Sequence, residues 1–170
     1  MTLLSLNAVL CYGPGFMYTV KAPEGWVLDN KSGQGSGVCL VSYPQGSSWE
    51  KGETVVYFNP SQKSNDPGNR NLSDVIAYDL KNHQANSPKL KVSEGEAYTN
   101  SFSKKKIPTK FFTNDQNNHE AVAYIDEPKA VVFLVMSSRT EAGLKKNLPA
   151  FKAFAENYQL ITSQVETKKK

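Results

Sequence analysis

The stretch that decides the fold is Ala130-Val-Val-Phe-Leu-Val-Met136, seven apolar residues in a row in the last third of the chain. A strand with one face in water alternates apolar and polar residues, and this run has no polar position. It therefore predicts a strand that is buried on both faces. A second strand, residues 120–125, precedes it across a turn at residues 126–129, so the two are expected to form a hairpin.

Two amphipathic helices are predicted to cover this sheet. The first begins at its N-cap Asn71 and ends at residues 86–88. The second begins at Thr140, and Pro149 inside its pattern predicts a kink or a restart near Asn147. The apolar stripes are Leu72, Val75, Ile76, Leu80 and His83 in the first helix, and Leu144, Leu148, Phe151, Phe154 and Tyr158 in the second. One helix on each face of a mainly antiparallel sheet predicts a three-layer α/β/α sandwich of the α/β (α+β) class.

Other strands follow from apolar runs that end at turn residues. They are predicted at residues 16–22, 26–28, 38–43, 53–58, 89–98 and 110–113. Residues 59–71 form a polar stretch with two prolines and are expected to be a long loop, which is either functional or disordered.

Length and charge describe a single ordinary domain. The 170 residues carry a formal charge of +4, with 39% hydrophobic and 21% charged residues. The domain is expected to span residues 16–161, followed by a basic flexible tail at 162–170. The lysine run at residues 104–106 lacks a partner set of stacking aromatics or a recognition helix, so we interpret it as a solvated loop and predict no nucleic-acid partner.

The first 15 residues carry no charged side chain and contain an apolar run from Leu3 to Leu10. This run is too short to cross a bilayer, which takes about 20 residues, and no transmembrane segment is predicted. It resembles the end of a secretory signal peptide with cleavage before Phe16, and it predicts a periplasmic or secreted protein. The alternatives are an N-terminal strand and a cytoplasmic protein. A disulfide between Cys11 and Cys39 requires that Cys11 be retained.

No set of residues predicts a reaction. His83 and His119 have no metal-binding spacing, so no metal site and no cofactor are predicted. Residues 33–37 contain three glycines but lack the lysine and helix of a phosphate-binding loop, which favours a hairpin turn. Asp126 and Glu127 are adjacent in a turn and are expected to point into water. No catalytic residue is therefore predicted.

Three side chains are candidates for binding. Trp49 lies in a polar loop, where burial of a large aromatic residue is least expected. Tyr43 lies at the base of that loop and could extend an apolar patch. Arg139 follows the central strand and could hold an anion. The alternatives are that Trp49 folds back over the sheet and that Arg139 forms a surface ion pair.

The opening Phe16-Met-Tyr-Thr-Val-Lys-Ala-Pro-Glu-Gly-Trp26 and the closing hairpin and helix resemble the PsbP-like and Mog-like superfamily. The resemblance spans residues 16–161 and rests on Pro23-Glu-Gly-Trp26. It implies the fold of a family that includes photosystem II extrinsic subunits, Ran-binding proteins and secretion adaptors, with no shared catalytic centre.

The function expected from this resemblance is that of an exported, non-enzymatic binding or accessory protein that acts through surface loops. It is expected to have a protein partner and to be a monomer or weak dimer. Two alternatives stay open: a cytosolic secretion adaptor or chaperone that binds a client segment, and a small enzyme whose site is assembled from dispersed residues.

Overall fold

The structure, a computed structural model, describes residues 8–63, 71–166 and 168. Two α-helices are present in these ranges, α1 (Leu72–Asn86) and α2 (Glu141–Asn157), with one short 3-10 turn at Gln34–Ser36. The strands are β1 Ala8–Gly13, β2 Phe16–Lys21, β3 Trp26–Asp29, β4 Leu40–Pro44, β5 Thr54–Gln62, β6 Lys91–Glu94, β7 Tyr98–Thr99, β8 Lys106–Ile107, β9 Thr109–Thr113, β10 His119–Asp126, β11 Ala130–Ser138 and β12 Gln159–Thr162.

A seven-stranded sheet forms the centre of the fold. Its order is β3-β4-β5-β11-β10-β9-β6, and every neighbouring pair is antiparallel. The apolar strand β11 pairs with β10 on one side and β5 on the other. Between Ala130 and Met136, every residue except Phe133 is buried. The prediction of a central strand buried on both faces is therefore confirmed.

The α2 face of the sheet holds the main core. Leu144, Phe151, Phe154 and Ala155 of α2 are buried there. Phe154 meets Trp26 and Phe58 edge-on, with ring centroids 5.7 and 6.0 Å apart. A second sheet, of order β1-β2-β12, shares this core through Tyr18 and Val20, neither of which is exposed.

The other face of the large sheet is covered in part by α1. Val75 is the buried residue of this helix, and Leu72, Ile76 and Leu80 are partly buried against the same cluster. The cluster on the sheet consists of Phe112, Val122, Tyr124, Val131 and Val135. The Asn71 side chain accepts a hydrogen bond from the backbone N–H of Asp74 at 3.0 Å, so the predicted N-cap is confirmed.

The predicted three-layer α/β/α sandwich is wrong. Strands make up 42% of the described residues and helices 23%, and the fold is an α+β fold dominated by antiparallel sheet. One outer layer combines α2 with the sheet β1-β2-β12 and is not a helical layer. Sequence spacing hides this second sheet because β2 and β12 come from opposite ends of the chain, and their pairing is not recorded in the pattern of either segment.

Residues 8–13 form the strand β1 and pair with β2 along its whole length. Cys11 is 1% exposed and forms a disulfide with Cys39, with a Cα–Cα distance of 6.2 Å. Cleavage before Phe16 would remove both β1 and this disulfide. Residues 1–7 of the predicted signal lie outside the described residues, and the cleavage stays a prediction.

The helix α2 is continuous from Glu141 to Asn157 although it contains Pro149. Thr140 caps it, accepting a hydrogen bond from the N–H of Gly143 at 2.9 Å, as predicted. A restart near Asn147 is wrong, since the Asn147 side chain donates to the Gly143 carbonyl at 2.8 Å within the helix. Tyr158 was expected on the helical stripe and instead follows the helix in extended conformation.

Other boundaries differ locally from expectation. The predicted loop at residues 59–71 begins later, because β5 continues to Gln62; residues 64–70 lie outside the described part of the chain. In the Pro23-Glu-Gly-Trp26 motif, Gly25 has a φ of +79°, which favours glycine, and the Trp26 N–H donates to the Pro23 carbonyl at 3.2 Å. The motif thus delivers Trp26 into the core.

The hydroxyl of Tyr18 has no hydrogen-bond partner among the described residues although its ring is fully buried. An unsatisfied buried polar group costs about 1–3 kcal/mol. Replacing Tyr18 with Phe is therefore expected to raise the free energy of unfolding by about 1 kcal/mol, measured by urea denaturation. Tyr124→Phe is the control and should lower it, since the Tyr124 hydroxyl donates to Asp79 at 2.7 Å. A Tyr18→Phe loss as large as that of the control would reveal a hidden partner, such as an ordered water.

Candidate functional site

A groove runs along β5 on the α1 side of the large sheet. On one side α1 covers β9, β10 and part of β11. On the other side of the groove, the loop before β4 packs closely against Val41. The contact is so close that a Cβ atom added at Gly33 would lie 2.6 Å from Cγ1 of Val41. The groove between them, the β5 groove, encloses about 160 Å³. Its lining residues are Tyr57, Asn59, Asp79, His83, Glu120, Val122, Phe133 and Val135.

Strand register explains why the sheet residues of the groove meet. Tyr57 is opposite Val135, which is opposite Val122 on the next strand. Asn59 is opposite Phe133 in the neighbouring row. Because side chains alternate along a strand, all of these residues point to the same face as Glu120, two positions before Val122.

One wall of the groove is an acid and histidine pair on α1. Asp79 and His83 are one helical turn apart, with Nε2 of His83 3.6 Å from Oδ1 of Asp79. The other carboxylate oxygen of Asp79 accepts the hydroxyl of Tyr124 at 2.7 Å. The His83 ring also stacks on Phe112, with centroids 4.4 Å apart. These contacts hold both side chains in one orientation at the groove.

Glu120 faces this pair from strand β10. Burial raises the pKa of its carboxyl above the ordinary value, His83 opposes that rise, and the charge of Asp79 adds to it. A hydrogen bond with Ser137 also favours the charged form. Among the described residues lining the groove, none is Lys or Arg. The groove therefore presents two carboxyl groups that lack a strong protein cation.

Trp49 lies at one end of the groove. Its ring meets that of Tyr57 edge-on, with centroids 5.9 Å apart and planes at 81°. It is half-buried, so it folds back on the sheet, which is one of the two arrangements expected from the sequence. Its role as a contact residue stays a prediction.

Tyr43 and Arg139 flank the same region. Tyr43 follows Val41 by two positions, so it shares the face of Tyr57, and its hydroxyl donates to Asp29 at 2.9 Å. Arg139 is exposed and binds the loop that carries Trp49, donating its side chain to the Glu50 carbonyl at 3.4 Å. The structure thus brings the three predicted residues to one side of the sheet, while anion binding by Arg139 stays a prediction.

The groove residues were missed from the sequence, although weak signals existed. Asp79 precedes His83 by four residues, a spacing that makes helical neighbours. Glu120 is an acid at the start of an otherwise apolar strand. The two histidines do not meet, because His119 lies on the α2 side, with Nδ1 3.2 Å from the Thr113 hydroxyl. In the described ranges, no three His, Cys, Asp or Glu side chains are arranged to hold a metal ion.

Comparison with known proteins gives a likeness to solved structures. No protein-family model and no curated protein matches the sequence. The solution structure of cyanobacterial PsbP (CyanoP) from Synechocystis sp. PCC 6803 is similar, with a TM-score of 0.53 and 12% identity. The likeness covers 94% of this chain and 96% of that chain. Within the described residues, neither helix is long and apolar enough to cross a membrane. At this identity the likeness concerns the fold, and the fold of this chain is PsbP-like.

Proposed function

We propose that this chain is an exported, non-enzymatic accessory protein that binds a basic segment of a protein partner in the β5 groove and along the Trp49 loop. The observation that carries the proposal is the lining of the groove. Asp79 and Glu120 face a common space beside Tyr57 and Phe133, and no Lys or Arg among the described residues lines it.

The chemistry of the groove favours a cationic side chain. A Lys or Arg from a partner would pair with Glu120 and Asp79, and charge-assisted hydrogen bonds of this kind are stronger than neutral ones. The ring faces of Tyr57 and Phe133 add cation–π attraction. The Trp49 ring holds Tyr57 edge-on and widens the contact area at the end of the groove.

Two observations support export. Cys11 and Cys39 form a disulfide, which supports export by a route that keeps Cys11, because disulfides persist in oxidising compartments and are rare in the cytosol. The fold is PsbP-like, in agreement with the exported accessory proteins that the sequence resembles. The cytosolic adaptor alternative predicts two free thiols, which alkylation and mass determination of the native protein would detect.

The enzyme alternative gains one observation, since Asp79, His83 and Glu120 form a cluster of acids and a histidine in a groove. No Ser, Thr, Cys or Lys among the described lining residues could serve as a nucleophile beside His83. The cluster therefore favours binding of a cation over catalysis by a serine, threonine, cysteine or lysine nucleophile. Turnover of an ester, peptide or glycoside substrate would support the enzyme alternative instead, if the Glu120→Gln variant lost that activity.

Binding is tested with a blocked Gly-Lys-Leu-Arg-Gly peptide and the same peptide carrying glutamate in place of its two basic residues. Each peptide is titrated into the isotope-labelled protein. The basic peptide is expected to shift the NMR signals of Tyr57, Asp79 and Glu120, and the acidic peptide is not. Glu120→Gln should weaken binding about 10-fold by removing one charged partner. Trp49→Ala should weaken it about 2–10-fold by releasing the Tyr57 ring.

The control is Glu24→Gln, because Glu24 is an exposed acid in the turn before β3, outside the groove. It should leave the affinity for the basic peptide unchanged. Equal binding of the acidic peptide, or equal losses in Glu24→Gln and Glu120→Gln, would refute the proposed groove.

A further inference from the structure

A second depression lies at the end of the sheet, away from the β5 groove. Three segments form it: the loop between β7 and β8, the turn between β10 and β11, and the start of β12. It encloses about 350 Å³, and we name it the Glu127 cleft. Its lining residues are Asn100, Phe102, Ser103, Lys105, Glu127, Pro128, Tyr158, Gln159 and Leu160.

The loop that carries Phe102 and Lys105 is held in place by Asn100, which is 3% exposed. The Asn100 amide nitrogen donates to the carbonyls of Ala155 at 3.0 Å and Tyr158 at 2.7 Å. Its side-chain oxygen accepts the backbone N–H groups of Phe102 at 3.0 Å and Ser103 at 2.9 Å. One wall of the cleft is therefore organised before any ligand arrives.

Glu127 brings an acid into the cleft, contrary to the expectation that this turn residue points into water. It is 8% exposed, because its backbone N–H closes the hairpin onto the Ala130 carbonyl at 2.9 Å and its side chain turns inward. Burial raises the pKa of its carboxyl, and Lys105 opposes that rise. No Lys or Arg nitrogen of the described residues lies within 4.0 Å of this carboxyl.

Tyr158 adds a buried hydroxyl beside Glu127. It is 1% exposed, and its hydroxyl is buried. Burial and the neighbouring Glu127 charge raise the pKa of the Tyr158 hydroxyl, and hydrogen bonding between the two side chains favours the charged form of Glu127. A buried acid thus lies in the cleft without an ion pair to a Lys or Arg of the described residues, and burying a charge without a paired cation costs free energy.

Lys105 adds a positive charge to the lining of the Glu127 cleft, and Phe102 adds an apolar surface. Lys105 is exposed and donates to the Asp126 carbonyl at 3.3 Å, while the Asp126 carboxylate pairs with Lys63 at 2.6 Å. Phe102 is 55% exposed on the loop between β7 and β8. Together with Pro128 and Leu160 it offers an apolar wall next to both charged groups.

We propose that the Glu127 cleft binds a free α-amino acid with an apolar or aromatic side chain. The ammonium group of the ligand pairs with Glu127, its carboxylate pairs with Lys105, and its side chain packs on Phe102 and Leu160. A volume of about 350 Å³ suits a ligand of this size, since small-molecule pockets begin near 300 Å³.

The test uses L-phenylalanine, phenethylamine, which lacks the carboxylate, and hydrocinnamate, which lacks the ammonium group. Calorimetry on the full chain should detect L-phenylalanine, with each analogue about 10-fold weaker or more. Glu127→Gln and Lys105→Met should each weaken L-phenylalanine about 10-fold or more. Lys105 is exposed, so its variant tests the site even where Glu127→Gln impairs folding.

Lys104→Met is the matched control, because Lys104 is the adjacent exposed lysine, does not line the cleft, and donates to the Ser101 carbonyl at 2.7 Å. It should bind L-phenylalanine like the unchanged protein. No heat of binding, equal affinity for either analogue, or equal losses in Lys104→Met and Lys105→Met would each overturn the proposal. These outcomes leave the β5 groove untouched, since it shares no residue with this cleft.

Discussion

Replacing Phe154 with alanine is expected to lower the free energy of unfolding by about 3–5 kcal/mol, the usual range for removing a buried phenylalanine ring. Phe154 is fully buried and joins the helix α2 to both Trp26 and Phe58. Its loss leaves a cavity where α2, β3 and β5 meet, and rigid aromatic neighbours cannot collapse into it. Urea denaturation followed by tryptophan fluorescence measures the change.

The control for this variant is Phe102→Ala, which removes the same ring from a site that is 55% exposed. Its effect on stability should stay within about 0.5 kcal/mol, as is usual for surface positions. A loss below about 1 kcal/mol for Phe154→Ala, or similar losses in the two variants, would contradict the position of Phe154 at the centre of the core.

Removing the Cys11–Cys39 disulfide is expected to cost about 3–4 kcal/mol, the loop-closure estimate for a bridge between residues separated by 28 positions. The bridge ties the edge strand β1 to the segment that leads into β4. Without it, the unfolded chain gains freedom, and β1 is held by its pairing with β2 and by the packing of Val9 against the core. The measurement compares denaturation of the oxidised protein with that of a variant carrying Cys11→Ser and Cys39→Ser.

A reducing agent provides the control for the disulfide. It should destabilise the unchanged protein to the level of the double variant and have no effect on the double variant itself. Two alkylatable thiols in the native protein would contradict the bridge. A native mass that begins at Phe16 would show that the predicted cleavage removes Cys11, and the stability of the mature protein would then be independent of reductant.

Patterns that span one segment predicted the structure well. The hairpin of β10 and β11, the caps Asn71 and Thr140, and the apolar stripe of α2 up to Phe154 all follow from local spacing, and the structure contains each of them. Local patterns suffice here because the alternation of side chains and the needs of helix ends are settled within a few residues.

Features that depend on distant pairing were not predictable in the same way. The sheet β1-β2-β12 joins both ends of the chain, and residues 8–13 have a composition that suits a strand as well as a signal peptide. The inward turn of Glu127 depends on packing between the hairpin and β12, since its neighbours in sequence are those of an exposed turn. The helix α2 continues through Pro149 because its buried face is held by tertiary contacts.

By itself, the sequence determined a two-helix protein around an apolar antiparallel hairpin, with a Pro-Glu-Gly-Trp opening that resembles PsbP-like proteins. Tertiary structure alone decided the second sheet, the disulfide, and the meeting of Asp79, His83 and Glu120 in one groove. The physical reason is that local patterns depend on residues near in sequence, whereas these features depend on contacts between distant segments. Hydrophobic periodicity records which face of a segment is buried, whereas a site is built from side chains whose proximity depends on strand register and on the packing of a helix across the sheet.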